Sequence, residues 1–184
     1  MAEPRPDAAA GLLSDLLRGL VRDVADYPEP GVVFKDIAPV LADRAAFAAV
    51  VDAMVGRVGA GQVDSVVGIE ARGFILGAPV AYHAGAGFVP ARKKGKLPGP
   101  TLDSAYELEY GSAVLSLQAD AVLPGERVLV VDDVLATGGT AAAAVDLVTR
   151  MGAIVVGVSV LIDLTFLHGP DRLPGVDVHA LLAY

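Results

Sequence analysis

Cysteine is absent from the 184-residue chain, which excludes disulfides, thiolate zinc sites and a cysteine nucleophile. Aromatic residues make up only 5% of a sequence that is 54% apolar, so the core must be built from Val, Ala, Leu and Ile. The three histidines, His83, His168 and His179, are scattered and do not suggest a metal cluster. Basic residues are in deficit, 14 against 22 acidic ones for a formal charge of −8. That balance disfavours general binding to nucleic acid or to anionic membranes, because both partners are polyanions. No run approaches the roughly 20 apolar residues of a membrane span, and "MAEPRPDAAAGLLSDLLRGL" lacks a cationic start ahead of a long apolar core. A cytoplasmic address and one α/β domain over 1–184 are the expectation, with 1–10 lacking fixed structure.

Leu12, Leu13, Leu16, Leu17, Leu20, Val21 and Val24 recur at three- and four-residue spacing and predict an amphipathic helix over about 8–25. "DYPEPG" then forces a turn. Asp43 is placed to cap a helix through "RAAFAAVVDAMVGRV". "VDSVVGI" reads as a strand, "EARG" as a tight connection and "FILGAPVAYHA" as a helix. "GFVPAR" is a further strand, "KKGKLPGPT" an exposed loop, and "YELEYGSAVLSLQ" an extended hairpin turning at Gly111. A strand at "AIVVGVSVLI" and the terminal "VDVHALLAY" close the chain. The repeated strand–loop–helix order predicts a mainly parallel sheet with helices on both faces and a ligand at the carboxyl ends of its strands.

Three stretches carry chemistry. In "VLVVDDVLATGGT" (128–140), the apolar run reads as a strand covered on both faces. The glycine loop Thr137-Gly138-Gly139-Thr140 opens a helix, so backbone N–H groups converge there on an anion. Asp132 and Asp133 repel that anion and must face hydroxyl groups or a cation, unless one merely caps the helix. A Walker loop and a dinucleotide fingerprint are both excluded, since neither the lysine nor the G-x-G-x-x-G spacing is present. In "GIEARGF" (68–74), the guanidinium of Arg72 at a strand end is suited to bidentate phosphate contact, although such a residue can also be an ordinary surface turn. In "ARKKGKLPGP" (91–100), Arg92, Lys93, Lys94 and Lys96 gather four of the 14 basic residues. Such a run can be a solvated face, but the flanking glycines and prolines suit a flap that closes over a polyphosphate.

Taken in order, "DYPEPGVVFKDI", "EARGF", "RKKGKLPGPT", "YELEYG", "VLVVDDVLATGGT" and "LLAY" resemble the type I phosphoribosyltransferases, and among them those whose acceptor base is adenine. The resemblance implies a Rossmann-like fold with a small hood and a flexible flap-and-hairpin at 91–111. It implies 5-phosphoribosyl 1-pyrophosphate (PRPP) and adenine as substrates, Mg²⁺ carried by PRPP rather than held by direct protein ligands, and a homodimer. By the same resemblance, Asp132 and Asp133 contact the ribose hydroxyls, and Ala136, Thr137, Gly138, Gly139 and Thr140 hold the 5′-phosphate. Arg72, Gly73, Arg92, Lys93 and Lys96 would meet pyrophosphate. Phe34 would stack on adenine while the Val33 backbone reads its Watson–Crick edge. A mismatched buried hydrogen bond costs roughly 1–3 kcal/mol, so this edge would select adenine over 6-oxopurines. Lys35 stands where the family more often has arginine, keeping the charge without the planar fork. Glu109 is the acid/base candidate near adenine N7, with Arg72 assisting the departing charge. Tyr106 and Tyr110 would be structural or would cover the ribose, with Tyr110 the candidate for the cover. Use of another base, or sensing of PRPP without catalysis, are the alternatives.

Overall fold

The computed structural model describes residues 6–107 and 112–184. They fall into two compact units, 1–50 and 51–184. In the first, helix α1 (Pro6–Leu20) is followed by strands β1 (Arg22–Ala25) and β2 (Val33–Asp36) and the short helix α2 (Ala38–Ala42). The helix stops five residues before the expected end at 25. The reason lies in side-chain chemistry across the ribbon. In the antiparallel register, Arg22 opposes Asp36 and Asp23 opposes Lys35, giving ion pairs of 2.6 and 2.7 Å. Val24, which fits the helical stripe, belongs to this ribbon and is 39% exposed. Leu17, Ile37, Val40, Ala46 and Val50 are buried.

Helix α3 (Arg44–Val58) begins where expected, because Asp43 Oδ1 accepts hydrogen bonds from the N–H groups of Ala45 and Ala46 at 2.9 and 2.8 Å. Next come β3 (Ser65–Ile69), α4 (Arg72–Ala84), β4 (Gly87–Lys93), β5 (Thr101–Glu107), β6 (Ser112–Gln118), β7 (Arg127–Leu135), α5 (Gly139–Arg150), β8 (Ile154–Asp163) and β9 (Val178–Ala183). The sheet has seven strands in the order β5-β6-β4-β3-β7-β8-β9. From β4 to β9 the pairings are parallel, and the β5–β6 hairpin joins antiparallel at one edge. The hairpin starts at Thr101, earlier than the tyrosine-rich segment suggested, and its turn lies outside the described residues.

Every residue of β3 is buried, as are Val128 to Val131 of β7, which is the burial that a central parallel strand requires. Val67, Ile69, Val128 and Val130 form one core cluster with Ala141, Ala144, Leu147 and Val148 of α5. On the other face Gly77 of α4 lies against Gly68 and Val131. Helices thus cover both faces, and α4 and α5 both start at the carboxyl ends of the strands they follow. Arg127 ties the opposite end of β7 to β3 through its contacts with Asp64, whose carboxyl its hydrogen bonds lower to about 2.

Candidate active site

The carboxyl end of β7 gathers two of the three stretches. Asp133 is 5% exposed, and its Oδ2 pairs with Arg72 Nε at 2.8 Å. Asp132 Oδ1 accepts a hydrogen bond from the Asp133 N–H at 2.9 Å. Arg72 is brought there by Gly73. A Cβ on that glycine would lie 2.8 Å from Asp132 Oδ1 and 2.9 Å from the Val131 carbonyl, so only hydrogen permits this approach. Sequence spacing could not reveal the Arg72–Asp133 pair, because 61 residues separate its members.

Burial and the adjacent Asp133 charge push the Asp132 carboxyl well above its ordinary range. Burial also raises Asp133, with Arg72 opposing the rise. Such a pair gains from any hydroxyl donor or cation that approaches it. Among the described residues no three or more His, Cys, Asp or Glu side chains gather as a metal cage. The acidic pair fits a cation that arrives already coordinated by a substrate's own oxygens.

Beyond β7, Gly138 caps α5 in the left-handed region at φ 80° and, like Gly139, is buried. Ala136, Thr137 and Thr140 are half-buried. The loop is braced from a distance: a Cβ on Gly138 would strike the carbonyl of Gly169, and a Cβ on Gly169 would strike the carbonyl of Ala136 and lie 2.9 Å from Leu135 Cγ. Gly169 went unnoticed in the sequence because nothing in "TFLHGPDRL" suggests a partner 31 residues earlier. The start of α5 adds N–H groups that lack an intrahelical partner, and its positive dipole end, to the loop.

The third stretch lies one strand away, since Ile69 pairs with Ala91. Arg92 Nε and Lys96 Nζ each donate to the Glu70 carboxylate at 3.0 Å. Glu70 is the second residue that sequence reasoning missed. Burial alone would raise its carboxyl, but hydrogen bonds from Lys96 and Arg92 outweigh that and hold it below the ordinary value. Lys94 turns toward the hairpin, pairing with Asp103 at 3.0 Å, and Lys93 is exposed at the end of β4. Tyr106 is partly buried and packs against the core cluster that includes α5. Glu109 and Tyr110 lie outside the described residues.

In the first unit, Val33 is 51% exposed. The half-buried Phe34 meets Tyr27 edge to face at 5.1 Å between ring centroids. Lys35 reaches across the ribbon to Asp23.

An acidic pair at a strand end, a glycine loop opening a helix and a guanidinium set against the pair thus meet at the carboxyl end of a parallel α/β sheet. Residues 38–172 match the family model described as the phosphoribosyl transferase domain, and the chain belongs to that family. Its relatives narrow the class. It is 61% identical to the adenine phosphoribosyltransferase of Acidothermus cellulolyticus over 92% of this chain and 96% of that one. It is similar to the crystal structure of the Rhodothermus marinus adenine phosphoribosyltransferase, with a TM-score of 0.91 and 48% identity over 95% of this chain and 99% of the other. The Saccharomyces cerevisiae enzyme, solved with D-2,5-dideoxy-2,5-imino-altritol 1,6-bisphosphate and adenine, matches with a TM-score of 0.88 and 35% identity over 93% and 99% of the two chains.

Proposed function

We propose that the chain transfers the 5-phosphoribosyl group of PRPP to N9 of adenine, giving AMP and pyrophosphate, and so salvages a purine base. The observation that carries this reading is the Asp132–Asp133 pair with Arg72 held against it at 2.8 Å and the braced loop 136–140 just beyond. Ribose hydroxyls donate to the two carboxylates, and the 5′-phosphate accepts from the loop and the start of α5. As the C1–O bond to pyrophosphate breaks ahead of C1–N9 formation, the sugar gains oxocarbenium character that the flanking carboxylates stabilise. Arg72 and Gly73, with Arg92, Lys93 and Lys96, receive the departing group. Its charge is further offset by the Mg²⁺ that PRPP carries.

Phe34 stacks on adenine, the Val33 backbone reads its edge, and Lys35 lies beside them. Glu109 handles the proton at N7 as N9 bonds to C1, and Tyr110 covers the ribose. The chain works as one phosphoribosyltransferase domain, in the cytoplasm and as a homodimer. The relatives named adenine phosphoribosyltransferase support the choice of base. A panel of adenine, hypoxanthine, guanine, xanthine and orotate, each with PRPP and Mg²⁺, tests it: AMP formation from adenine alone is expected. Turnover of another base in preference, or of none, overturns the reading.

A further inference from the structure

One carboxylate is shared by two of the cations just assigned to pyrophosphate. Arg92 leaves the end of β4 and Lys96 lies in the following loop, four residues apart, yet both converge on Glu70 at 3.0 Å. Arg92 Nη1 also donates to the Lys96 carbonyl at 3.0 Å, which closes the cluster. The Glu70 backbone is fixed by its N–H, which donates to the Ala91 carbonyl at 3.0 Å.

The layering decides the role. The Glu70 side chain is 6% exposed, whereas Arg92 and Lys96 are 36% and 51% exposed. The carboxylate therefore lies beneath and the cations lie between it and solvent. An arriving anion meets the cations without displacing Glu70, since lysine has three donors and arginine five, and Glu70 occupies only part of them. We infer that Glu70 is a positioning residue that locks Arg92 and Lys96 into one preformed cradle for the pyrophosphate group. Fixing two long, flexible side chains before the ligand arrives removes an ordering cost from binding. The inference rests on the assignment of Arg92 and Lys96 to pyrophosphate in the proposed function.

The sign of one measurement separates this role from simple countercharge. By Coulomb's law alone, removing a negative charge from the site tightens binding of a polyanion. Removing the lock weakens it. Mg²⁺ and pyrophosphate would be titrated into the full chain as wild type, E70Q, K96A and the E70Q/K96A double variant, with KM for adenine measured in each. We expect E70Q to weaken pyrophosphate binding about tenfold, the scale of one charge-assisted hydrogen bond. K96A should do the same, the double variant should lose less than the product of the two single losses because both dismantle one cradle, and KM for adenine should hold. Unchanged or tighter pyrophosphate binding in E70Q, or additive losses in the double variant, overturns the positioning role while a loss in K96A leaves the pyrophosphate assignment standing. If K96A and R92A both bind pyrophosphate as wild type does, the assignment itself fails and the inference with it. Should E70Q not fold, E70D keeps the charge but withdraws it by one methylene, and full retention of pyrophosphate affinity there also overturns the role.

Discussion

The loop 136–140 and the basic segment 92–96 both lie at the carboxyl end of one sheet, but they are held by different physics. The loop is shaped by backbone packing: Gly138 and Gly169 touch where no side chain fits, and a helix start supplies the donors. The basic segment is shaped by charge, through ion pairs of 3.0 Å to Glu70 on side chains that remain substantially exposed. The first arrangement tolerates salt and fails on any added volume. The second tolerates volume and weakens with screening.

The largest effect should come from the acidic pair that both regions flank. Asp133→Asn is expected to lower kcat/KM for PRPP about a hundredfold, the scale of losing a buried charge-assisted contact to substrate together with the Arg72 pair. Steady-state kinetics beside a melting curve will show whether the loss is chemical, and an unaltered kcat/KM removes the hydroxyl-binding role. Gly169→Ala attacks the packed region from outside the motif. Overpacking of this kind costs about 1–3 kcal/mol, and KM for PRPP should rise about tenfold with KM for adenine unchanged. Equal movement of both constants would mean that the brace serves general stability.

The charged region is sharpened by comparing two of its three lysines, Lys94 and Lys96. Lys94 is bound to Asp103 on the hairpin, so Lys94→Ala should change KM for PRPP less than about threefold, within the range of an exposed ion pair. A larger effect from Lys94 than from Lys96 would reverse the assignment. The smallest signal is a proton count. Burial and mutual repulsion raise the Asp132 carboxyl, and hydroxyl donors favour its charged form, so binding PRPP lowers that pKa and releases protons. Affinity should therefore fall as pH drops through the raised carboxylate range of the free protein. Calorimetry in buffers of different ionisation enthalpy should record less proton release from Asp132→Asn than from wild type.

Much of the fold could be read along the chain, because burial on both faces writes itself as the unbroken run 128–131 and Asp43 announces α3. The helix expected to run to 25 shows where periodicity misleads: Arg22 and Asp23 prefer partners on β2 to another helical turn, and those partners lie beyond two prolines. At the site, the motif residues were legible because loop, acids and helix are consecutive. Glu109 and Tyr110 rest on the resemblance alone.

The sequence by itself determined a parallel α/β sheet, a core of small aliphatic residues, and an acidic pair followed by a phosphate-type loop, since each depends on neighbours within a few positions. Only the tertiary structure decided that Arg72 meets Asp133, that Gly169 shapes the loop through Gly138, and that Glu70 gathers Arg92 and Lys96. Those contacts join segments from 22 to 61 residues apart, brought together by strand order and by glycines that admit close backbone approach. No local pattern encodes either.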